Sequence, residues 1–382
     1  MPRAVIVEAV RSPVGRRGGT LSHVRPDDLA AHVLGALVRR AGIDPALVED
    51  VILGCVTPIG EQGLNIARVA VMIAGFPLEV CGVQINRMCG SSQQAIHFAA
   101  QAIEAGDMEV VIGGGIESMS RVPMGSDGGP FSDKLVARFA LVPQGISAEM
   151  IADQWGISRR EMEEFALESH RRAIRAIDEG RFRSQIVPVE VTLPDGTRVT
   201  MENDEGPRRD TSLEKMAALA PAFKPDGKIT AAVSSQISDG AAAVLLMSED
   251  KARELGLRPR ARLLSRVVAG VDPVMMLHGV IPATRKALAR AGLRIEDIDV
   301  VEINEAFASV VLAWKKEIQP PDMERVNPNG GACALGHPLG ATGAILMTKL
   351  LYELERTGGR YGLQTMCIGH GMATASVIER LG

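Results

Sequence analysis

The sequence predicts an α/β fold with a largely parallel sheet, because short apolar strands alternate with amphipathic helices along the chain. Residues 5–7 and 51–53 are continuous apolar runs, which are typical of buried strands. Between them, residues 27–41 place apolar side chains on one helical face, and Gly42 predicts where that helix ends.

The first half of the chain continues in the same alternation. Residues 95–105 predict a helix that ends at Gly106, and residues 110–112 predict a strand that runs into the triple glycine 113–115. A dinucleotide-binding loop is a weak interpretation of these glycines, since their spacing is wrong and Glu117 would repel a pyrophosphate.

The pattern returns about 250 residues later, which predicts two repeats of one architecture. Residues 289–293 repeat the helix end at 39–43, and residues 300–303 repeat the strand at 51–53. Chance similarity between common α/β loops is the alternative explanation.

Composition shifts between the halves, from about residue 119 to residue 249. Residues 126–130 form a glycine-rich loop, residues 158–178 predict a charged amphipathic helix that Ser158 caps, and residues 204–210 are polar and rich in turn formers. We interpret this segment as an inserted, substrate-facing region.

Bulk composition excludes several classes of protein. The 382 residues carry a formal net charge of −4 and only 3% aromatic residues, so neither polyanion binding nor base stacking is expected. No apolar stretch is long enough for a signal peptide or a membrane span. The five cysteines are odd in number and lack CxxC spacing, which favours free thiols in a reducing cytoplasm over disulfides or a zinc site.

Cys89 is the first candidate for chemistry. It follows an apolar run at 83–85 and precedes a helix, so we expect it near a helix N-terminus, where the partial positive charge lowers a cysteine pKa. Small residues follow it, and they leave space for an acyl group. An inert buried cysteine remains the alternative.

Two glycine-rich turns supply further candidates. His337 stands among glycines just before a helix predicted at 344–354, where it could take a proton from a thiol; a turn histidine bonded to a backbone carbonyl is the alternative. Cys367 precedes the turn 369–371, and the backbone N–H of Gly369 could face a developing oxyanion.

Asn304 follows the strand at 300–303 directly. An asparagine there can orient a water molecule, although helix N-capping is an equally ordinary use of this residue. We interpret His97, on the helix after Cys89, as a helix-face residue rather than a ligand.

Together the segments around Cys89, the Asn304-Glu305-Ala306-Phe307 run, the His337 loop and the Cys367 turn resemble the thiolases, in order and spacing, over nearly the whole chain. The resemblance implies two duplicated five-layered α-β-α-β-α halves with an inserted loop domain. It predicts an N-terminal half at 1–118, completed by about 229–265, a loop domain at 119–228 and a C-terminal half at 266–382.

The resemblance also implies roles for single residues. Cys89 is expected to be the acylated nucleophile, His337 its activator, and Cys367 the acid/base for the α-proton. Asn304 is expected to hold a water in one oxyanion hole, and the backbone N–H groups of Cys89 and Gly369 are expected to form another. For coenzyme A and its acyl group, the expected contacts are Arg208, Ser235 and Phe307.

The implied activity is coenzyme A-dependent cleavage of 3-ketoacyl-CoA into acetyl-CoA and a shortened acyl-CoA, by a cytoplasmic homodimer or homotetramer. Coenzyme A is a substrate, and no cofactor, metal, nucleic acid or membrane partner is expected. A biosynthetic acetoacetyl-CoA thiolase is the first alternative. A ketoacyl-synthase-type condensing enzyme and a non-catalytic thiolase-like lipid-binding protein are weaker ones, because Asn304, His337 and both active-site cysteines are present.

Three departures from the family pattern matter. His370 replaces a usual glycine, and we expect that it could narrow the pocket or perturb Cys367. Val233 replaces a usual asparagine near Ser235. Residues 122–144 lack the basic, histidine-bearing stretch of short-chain biosynthetic members, which favours degradation.

Overall fold

The computed structural model describes residues 2–382, in which twelve strands and twelve α-helices occur. The strands are β1 Ala4–Arg11, β2 Gly15–Arg16, β3 Asp50–Gly54, β4 Cys81–Ile85, β5 Val110–Ser118, β6 Val189–Thr192, β7 Arg198–Met201, β8 Ser238–Ser248, β9 Ala261–Gly270, β10 Val300–Ile303, β11 Tyr361–Ile368 and β12 Met372–Arg380. The helices are α1 Pro26–Ala41, α2 Ile66–Ile73, α3 Ser91–Ala105, α4 Asp133–Val136, α5 Gln144–Gln154, α6 Arg159–Asp178, α7 Leu213–Ala217, α8 Glu249–Glu254, α9 Val280–Ala291, α10 Ala308–Ile318, α11 Ala332–Leu335 and α12 Thr342–Thr357.

Nine strands lie side by side in the order β10-β11-β12-β9-β1-β8-β5-β3-β4, and β2 adds to β8. Only two residue pairs join β1 to β9, so the sheet consists of two blocks that meet at a short seam. The strands β6 and β7 form a separate hairpin.

The two blocks repeat one pairing scheme. In the first, β1 is antiparallel to β8, β8 is antiparallel to β5, and β5 is parallel to β3. In the second, β9, β12, β11 and β10 follow the same scheme in that order. The helices α1 and α9 both end at a left-handed glycine, Gly42 with φ 70° and Gly292 with φ 67°. The predicted α/β repeat is therefore present, while the domain boundaries stay a prediction.

The helices α3 and α12 pack against each other between the two blocks. On the outside, α1 and α2 cover the first block and α9 covers the second. The whole molecule therefore has one five-layered α-β-α-β-α arrangement, with α3 and α12 as its middle layer, rather than five layers in each half. Side chains of α3 reach the second block, where Gln93 Nε2 donates to Ser376 Oγ at 2.8 Å. This contact brings the N-terminal end of α3 close to β11 and β12.

The triple glycine 113–115 lies inside β5 rather than in a turn after it. A side chain at Gly113 would collide with the backbone of α3 at Ile96, and one at Gly115 would collide with the backbone of Gly340. These glycines therefore let a helix and a loop approach the strand closely, which is a packing role that strand periodicity does not predict. Helix α3 also begins earlier than predicted, at Ser91.

The region between the halves is tied to the sheet by a buried ion pair. The Arg11 guanidinium donates to both carboxylate oxygens of Asp204, at 2.7 and 2.9 Å, and both side chains are buried. Helix α6 has the predicted capping box, in which Glu161 N donates to Ser158 Oγ at 3.1 Å and Ser158 N donates to Glu161 Oε2 at 2.7 Å. Within residues 2–382, no helix is long and apolar enough to cross a membrane.

Candidate active site

Cys89 lies in the tight turn between β4 and α3, and only 4% of it is exposed. Met88, just before it, has φ 45°, a conformation that costs a non-glycine residue free energy. The Ser91 hydroxyl stabilises this turn, since it accepts from Arg87 N at 2.9 Å and donates to Met88 O at 2.6 Å. The sequence therefore builds a fixed, strained support under the sulfur.

The Cys89 sulfur meets the turn that follows β11. The backbone N–H groups of Gly369 and of Cys89 itself both contact this sulfur. The Cys367 sulfur is close enough to feel the charge on Cys89. No room exists for a side chain at Gly90, because Ile368 occupies that space. Two thiols that lie far apart in the sequence thus share one buried site.

Burial decides the protonation state of both thiols. Desolvation raises the pKa of Cys89 to about 11 and outweighs the N–H contacts that favour its thiolate. Desolvation and the neighbouring sulfur also raise the pKa of Cys367. The expectation that the helix N-terminus would lower the Cys89 pKa is therefore wrong, and the thiol needs a base.

His337 is a neutral imidazole in a defined tautomer. The Thr342 hydroxyl donates to Pro338 O at 2.7 Å, so its oxygen is free to accept from His337 Nδ1, 2.6 Å away. Nε2 then carries the lone pair and lies 3.3 Å from Asn304 Nδ2. Burial lowers the pKa of His337 to about 4. Its partners are side chains, so the alternative of a turn histidine held by a carbonyl does not apply.

A buried carboxylate positions the His337 loop over the start of α3. Glu117 Oε2 accepts from Gly340 N at 2.8 Å and from Val56 N at 2.8 Å. On the other side, Ala344 N donates to Ser92 Oγ at 2.9 Å, three residues after the nucleophile. Leu339 joins Cys89 in one apolar cluster. The imidazole loop and the nucleophile turn are therefore fixed to the same elements.

Asn304 follows β10, and its backbone N–H donates to Thr365 O at 3.0 Å on the adjacent β11. Its Oδ1 is buried and has no hydrogen-bond partner within residues 2–382. A buried acceptor of this kind suits a bound water. The N-cap alternative does not apply, because Phe307 occupies the N-cap position of α10.

The residues expected to contact coenzyme A lie further out. Arg208 is exposed, and its backbone N–H donates to His170 Nδ1 at 3.1 Å. Ser235 N donates to Ala306 O at 2.9 Å, which ties its loop to the Asn304 segment. Phe307 is buried and packs edge-on against Phe223, with ring centroids 5.9 Å apart. Ser235 and Phe307 thus lie on neighbouring segments, whereas Arg208 lies at the surface beside His170.

His370 does not narrow the site. It has φ 59°, is exposed, and packs edge-on against Phe131 with centroids 5.6 Å apart. Its ring therefore packs against the loop that carries Phe131, and we find no contact with Cys367. Val233, the other departure, is fully buried in the core.

Sequence reasoning missed four residues of the site. Thr342 lies in the glycine-rich loop of His337, and Glu117 follows the triple glycine 113–115. Asking which side chains could hydrogen-bond to these glycine-rich segments would have indicated both residues. Gln144 and Phe223 follow segments without periodicity, and no sequence signal marks them. Within residues 2–382, no group of three or more His, Cys, Asp or Glu side chains is placed to hold a metal ion.

The thiolase N-terminal domain model matches residues 4–250, and the thiolase C-terminal domain model matches residues 257–380. The chain is 52% identical to a steroid 3-ketoacyl-CoA thiolase of Mycobacterium tuberculosis, over 100% of this chain and 95% of that protein. It is 48% identical to a 3-ketoacyl-CoA thiolase of Vibrio vulnificus, with 100% of both chains covered. A crystal structure of the Bacillus anthracis acetyl-CoA acetyltransferase superposes with a TM-score of 0.93 at 42% identity, covering 100% of this chain and 99% of the other. The chain belongs to the thiolase family of acyltransferases.

Proposed function

We propose that the protein cleaves 3-ketoacyl-CoA with coenzyme A, giving acetyl-CoA and an acyl-CoA two carbons shorter, through an acyl group on Cys89. The observation that carries this proposal is the packing of the turn that holds Cys89 against the end of β11 that holds Cys367, with both thiols buried. One thiol serves as nucleophile and the other moves a proton at carbon, which is the pair of tasks that carbon–carbon cleavage requires. The names of the similar proteins support the same substrate class.

In the first half-reaction, His337 Nε2 takes the Cys89 proton and the thiolate attacks the 3-keto carbon. The bond between C2 and C3 then breaks, and its electron pair forms the enolate of acetyl-CoA. Cys367 gives its proton to C2, so acetyl-CoA leaves and the acyl group stays on Cys89. The raised pKa of Cys367 suits this step, because the group arrives protonated.

In the second half-reaction, coenzyme A enters and the Cys367 thiolate takes its thiol proton. The new thiolate attacks the acyl carbonyl carbon, and the Cys89–acyl bond breaks. The Cys89 thiolate recovers its proton from His337. Both cysteines and the imidazole then return to their starting states, so the cycle balances.

Developing oxyanions need donors that are already in place. The N–H groups of Cys89 and Gly369 point at the nucleophile, where the acyl carbonyl would lie. We assign them to the oxygen of the acyl-enzyme. Asn304 is assigned to a second site, where a water on its free Oδ1 and the His337 imidazole would face the thioester oxygen of the departing acetyl-CoA.

Arg208, Ser235 and Phe307 are proposed to bind coenzyme A and the acyl chain. An exposed guanidinium suits a phosphate, a loop hydroxyl suits the pantetheine amides, and a buried aromatic ring suits the acyl group. Coenzyme A acts as a substrate, and we propose that no resident metal or cofactor takes part. Dialysis against a chelator that removes activity would contradict this.

Self-association is proposed through the edge strand β4. Exposed apolar side chains surround this strand, among them Leu64 at 95%, Leu78 at 77% and Val83 at 41% exposure. An unpaired strand edge beside apolar residues favours a symmetric dimer, and two dimers would make a tetramer. Leu64→Asp should shift the sedimentation coefficient towards that of a monomer.

We propose a cytoplasmic location for the protein, since its five cysteines are free thiols.

A panel of thiolysis assays tests the proposal. Substrates would run from acetoacetyl-CoA through linear 3-ketoacyl-CoAs to ring-bearing ones, because one relative is named for steroid substrates and a solved relative for acetyl transfer. Preference for acetoacetyl-CoA with fast condensation would favour the biosynthetic alternative. Failure to acetylate the Cys89 peptide with acetyl-CoA, observed by mass spectrometry, would sink the acyl-enzyme and favour a non-catalytic binding protein.

A further inference from the structure

Gln144 lies beside the nucleophile although no feature of the sequence marks it. It is the first residue of α5, and its side-chain amide lies near the Cys89 thiol, where it is the smallest of the influences that lower the pKa of that thiol.

The turn after β11 shows where this amide lies. A methyl group on Gly369 would come within 2.8 Å of Gln144 Nε2 and within 2.8 Å of Met88 Sδ. Gly369 is also the residue whose backbone N–H contacts the Cys89 sulfur. The backbone donor and the side-chain donor thus lie next to each other in the neighbourhood of the Cys89 thiol.

The start of α5 is held in place independently of any ligand. Ser147 Oγ donates to Val274 O, and Glu149, which is buried, accepts from the backbone N–H of Ile229 at 2.8 Å. The Phe223 ring packs on the backbone of Gly145, where no side chain would fit. An amide on such a support is preorganised, so it need not reorganise when charge develops on the sulfur.

We propose that Gln144 is a catalytic residue, whose side-chain amide donates to the Cys89 sulfur and stabilises the thiolate together with the backbone N–H groups of Cys89 and Gly369. Once the sulfur is acylated, the same amide lies close to the carbonyl oxygen that Gly369 faces, and it supplies a third donor to that oxygen. This inference rests on the proposed acyl-Cys89 mechanism.

The physical need for such a donor follows from burial. The Cys89 sulfur loses its hydration, and Glu117 adds unfavourable negative charge around a thiolate. His337 is neutral, so no cation opposes this charge. Neutral N–H donors are then the groups left to favour the anion, and each one removed should make the thiolate harder to form.

The test measures thiolate formation without a substrate. The protein would be alkylated with iodoacetamide between pH 6 and pH 10, and the Cys89 peptide quantified by mass spectrometry. In Gln144→Met, which keeps the side-chain length, we expect Cys89 alkylation to slow about tenfold at neutral pH, since losing one donor shifts the thiolate equilibrium by roughly one pH unit. The ratio should stay near tenfold up to pH 10, because this range lies below the Cys89 pKa of about 11. Gln144→Glu, which sets a negative charge beside the sulfur, should slow alkylation further.

Two internal references separate chemistry from misfolding. Cys81 lies on β4, away from Gln144, so its rate of alkylation should be the same in every variant and in the wild type. Gln154→Met makes the same substitution at the exposed far end of α5 and should leave Cys89 alkylation unchanged. Wild-type alkylation profiles for Cys89 in both Gln144→Met and Gln144→Glu would overturn the proposal. Absence of thiolysis by the wild-type protein would instead overturn the proposed function, and the alkylation profiles would still decide the role of Gln144.

Discussion

Asn304 Nδ2 lies 3.3 Å from His337 Nε2, on the opposite side of the imidazole from Thr342. Because Thr342 accepts from Nδ1, the lone pair is on Nε2 and Asn304 donates to it. When His337 Nε2 receives the Cys89 proton, it becomes a donor itself, and Asn304 Nδ2 can no longer donate to it. The free Oδ1 of Asn304 can then accept, through a turn of the amide or through a water, so the pair is built for both protonation states.

Thr342→Val should lower kcat about tenfold with little change in KM. Valine keeps the side-chain shape but removes the acceptor that fixes the His337 tautomer, and one hydrogen bond of about 0.5–1.5 kcal/mol corresponds to that factor. Steady-state kinetics would show it. Thr348→Val is the matched control, because the Thr348 hydroxyl also bonds a carbonyl of α12, Ala344 O at 2.8 Å, but lies outside the site. Equal losses in both variants would point to helix stability rather than to tautomer control.

Cys89→Ala should abolish turnover, since no other group can carry the acyl chain. The variant should fold, because alanine leaves only a small space in the turn before α3. Cys81→Ala, at the exposed thiol on β4, should keep wild-type activity. Substantial thiolysis by purified Cys89→Ala would show that the nucleophile lies elsewhere.

Cys367→Ala should separate the two kinds of chemistry. Carbon–carbon cleavage needs a proton at C2 of the leaving enolate, so it should slow by about 10²–10⁴, the usual worth of an acid/base group. Acylation of Cys89 by a simple thioester needs no such proton, so it should slow much less. Rapid-quench measurements of the two reactions would check this, and equal slowing would remove Cys367 from the proton step.

The pH dependence of Cys89 acylation should follow His337. Burial lowers the pKa of this imidazole to about 4, so it is a free base at neutral pH and accepts a proton there. Below that value the imidazolium cannot accept, and acylation should fall as the pH drops through it. Single-turnover acylation should therefore stay nearly constant from pH 6 to pH 8. A steep fall centred near pH 6.5, the ordinary histidine range, would show that His337 is more hydrated in the working enzyme than in this structure.

Periodic elements of the fold were predictable from the sequence. The strand at 51–53, the helix ends at Gly42 and Gly292 and the offset of the repeat all follow from local patterns. The continuation of β5 through its triple glycine was not predictable from the sequence, because it depends on close packing by α3 and Gly340, which is a tertiary effect. Local sequence reports what a segment prefers, and it does not report what lies against it.

The site divides in the same way. Cys89, His337, Asn304 and Cys367 stand beside turns and glycines, which mark them in the sequence. The pKa of Cys89 could not be predicted, because burial by residues from both halves outweighs the nearby helix N-terminus. Gln144 depends entirely on how the loop region folds back over the turn after β11, and no spacing encodes that.

His97 should make the fold sensitive to acid. It is buried on α3, where its Nε2 lies 2.7 Å from Ser376 Oγ on β12, and burial together with Arg266 and Arg87 lowers its pKa to about 3. In the unfolded chain a histidine binds a proton below about pH 6.5, whereas the folded protein does not bind one here. The unfolded state therefore gains protons as the pH falls, and the stabilisation present above pH 6.5 is lost towards the folded pKa. Between pH 7 and pH 5 this one group should remove about 2 kcal/mol of unfolding free energy.

His97→Gln should show a smaller loss of unfolding free energy over that interval in urea titrations, while His23→Gln, at an exposed histidine, should match the wild type. The residual acid sensitivity of His97→Gln should come from His337 and His170, which are also buried with lowered pKa values. An unchanged pH slope in His97→Gln would mean that this contact opens and hydrates before the protein unfolds.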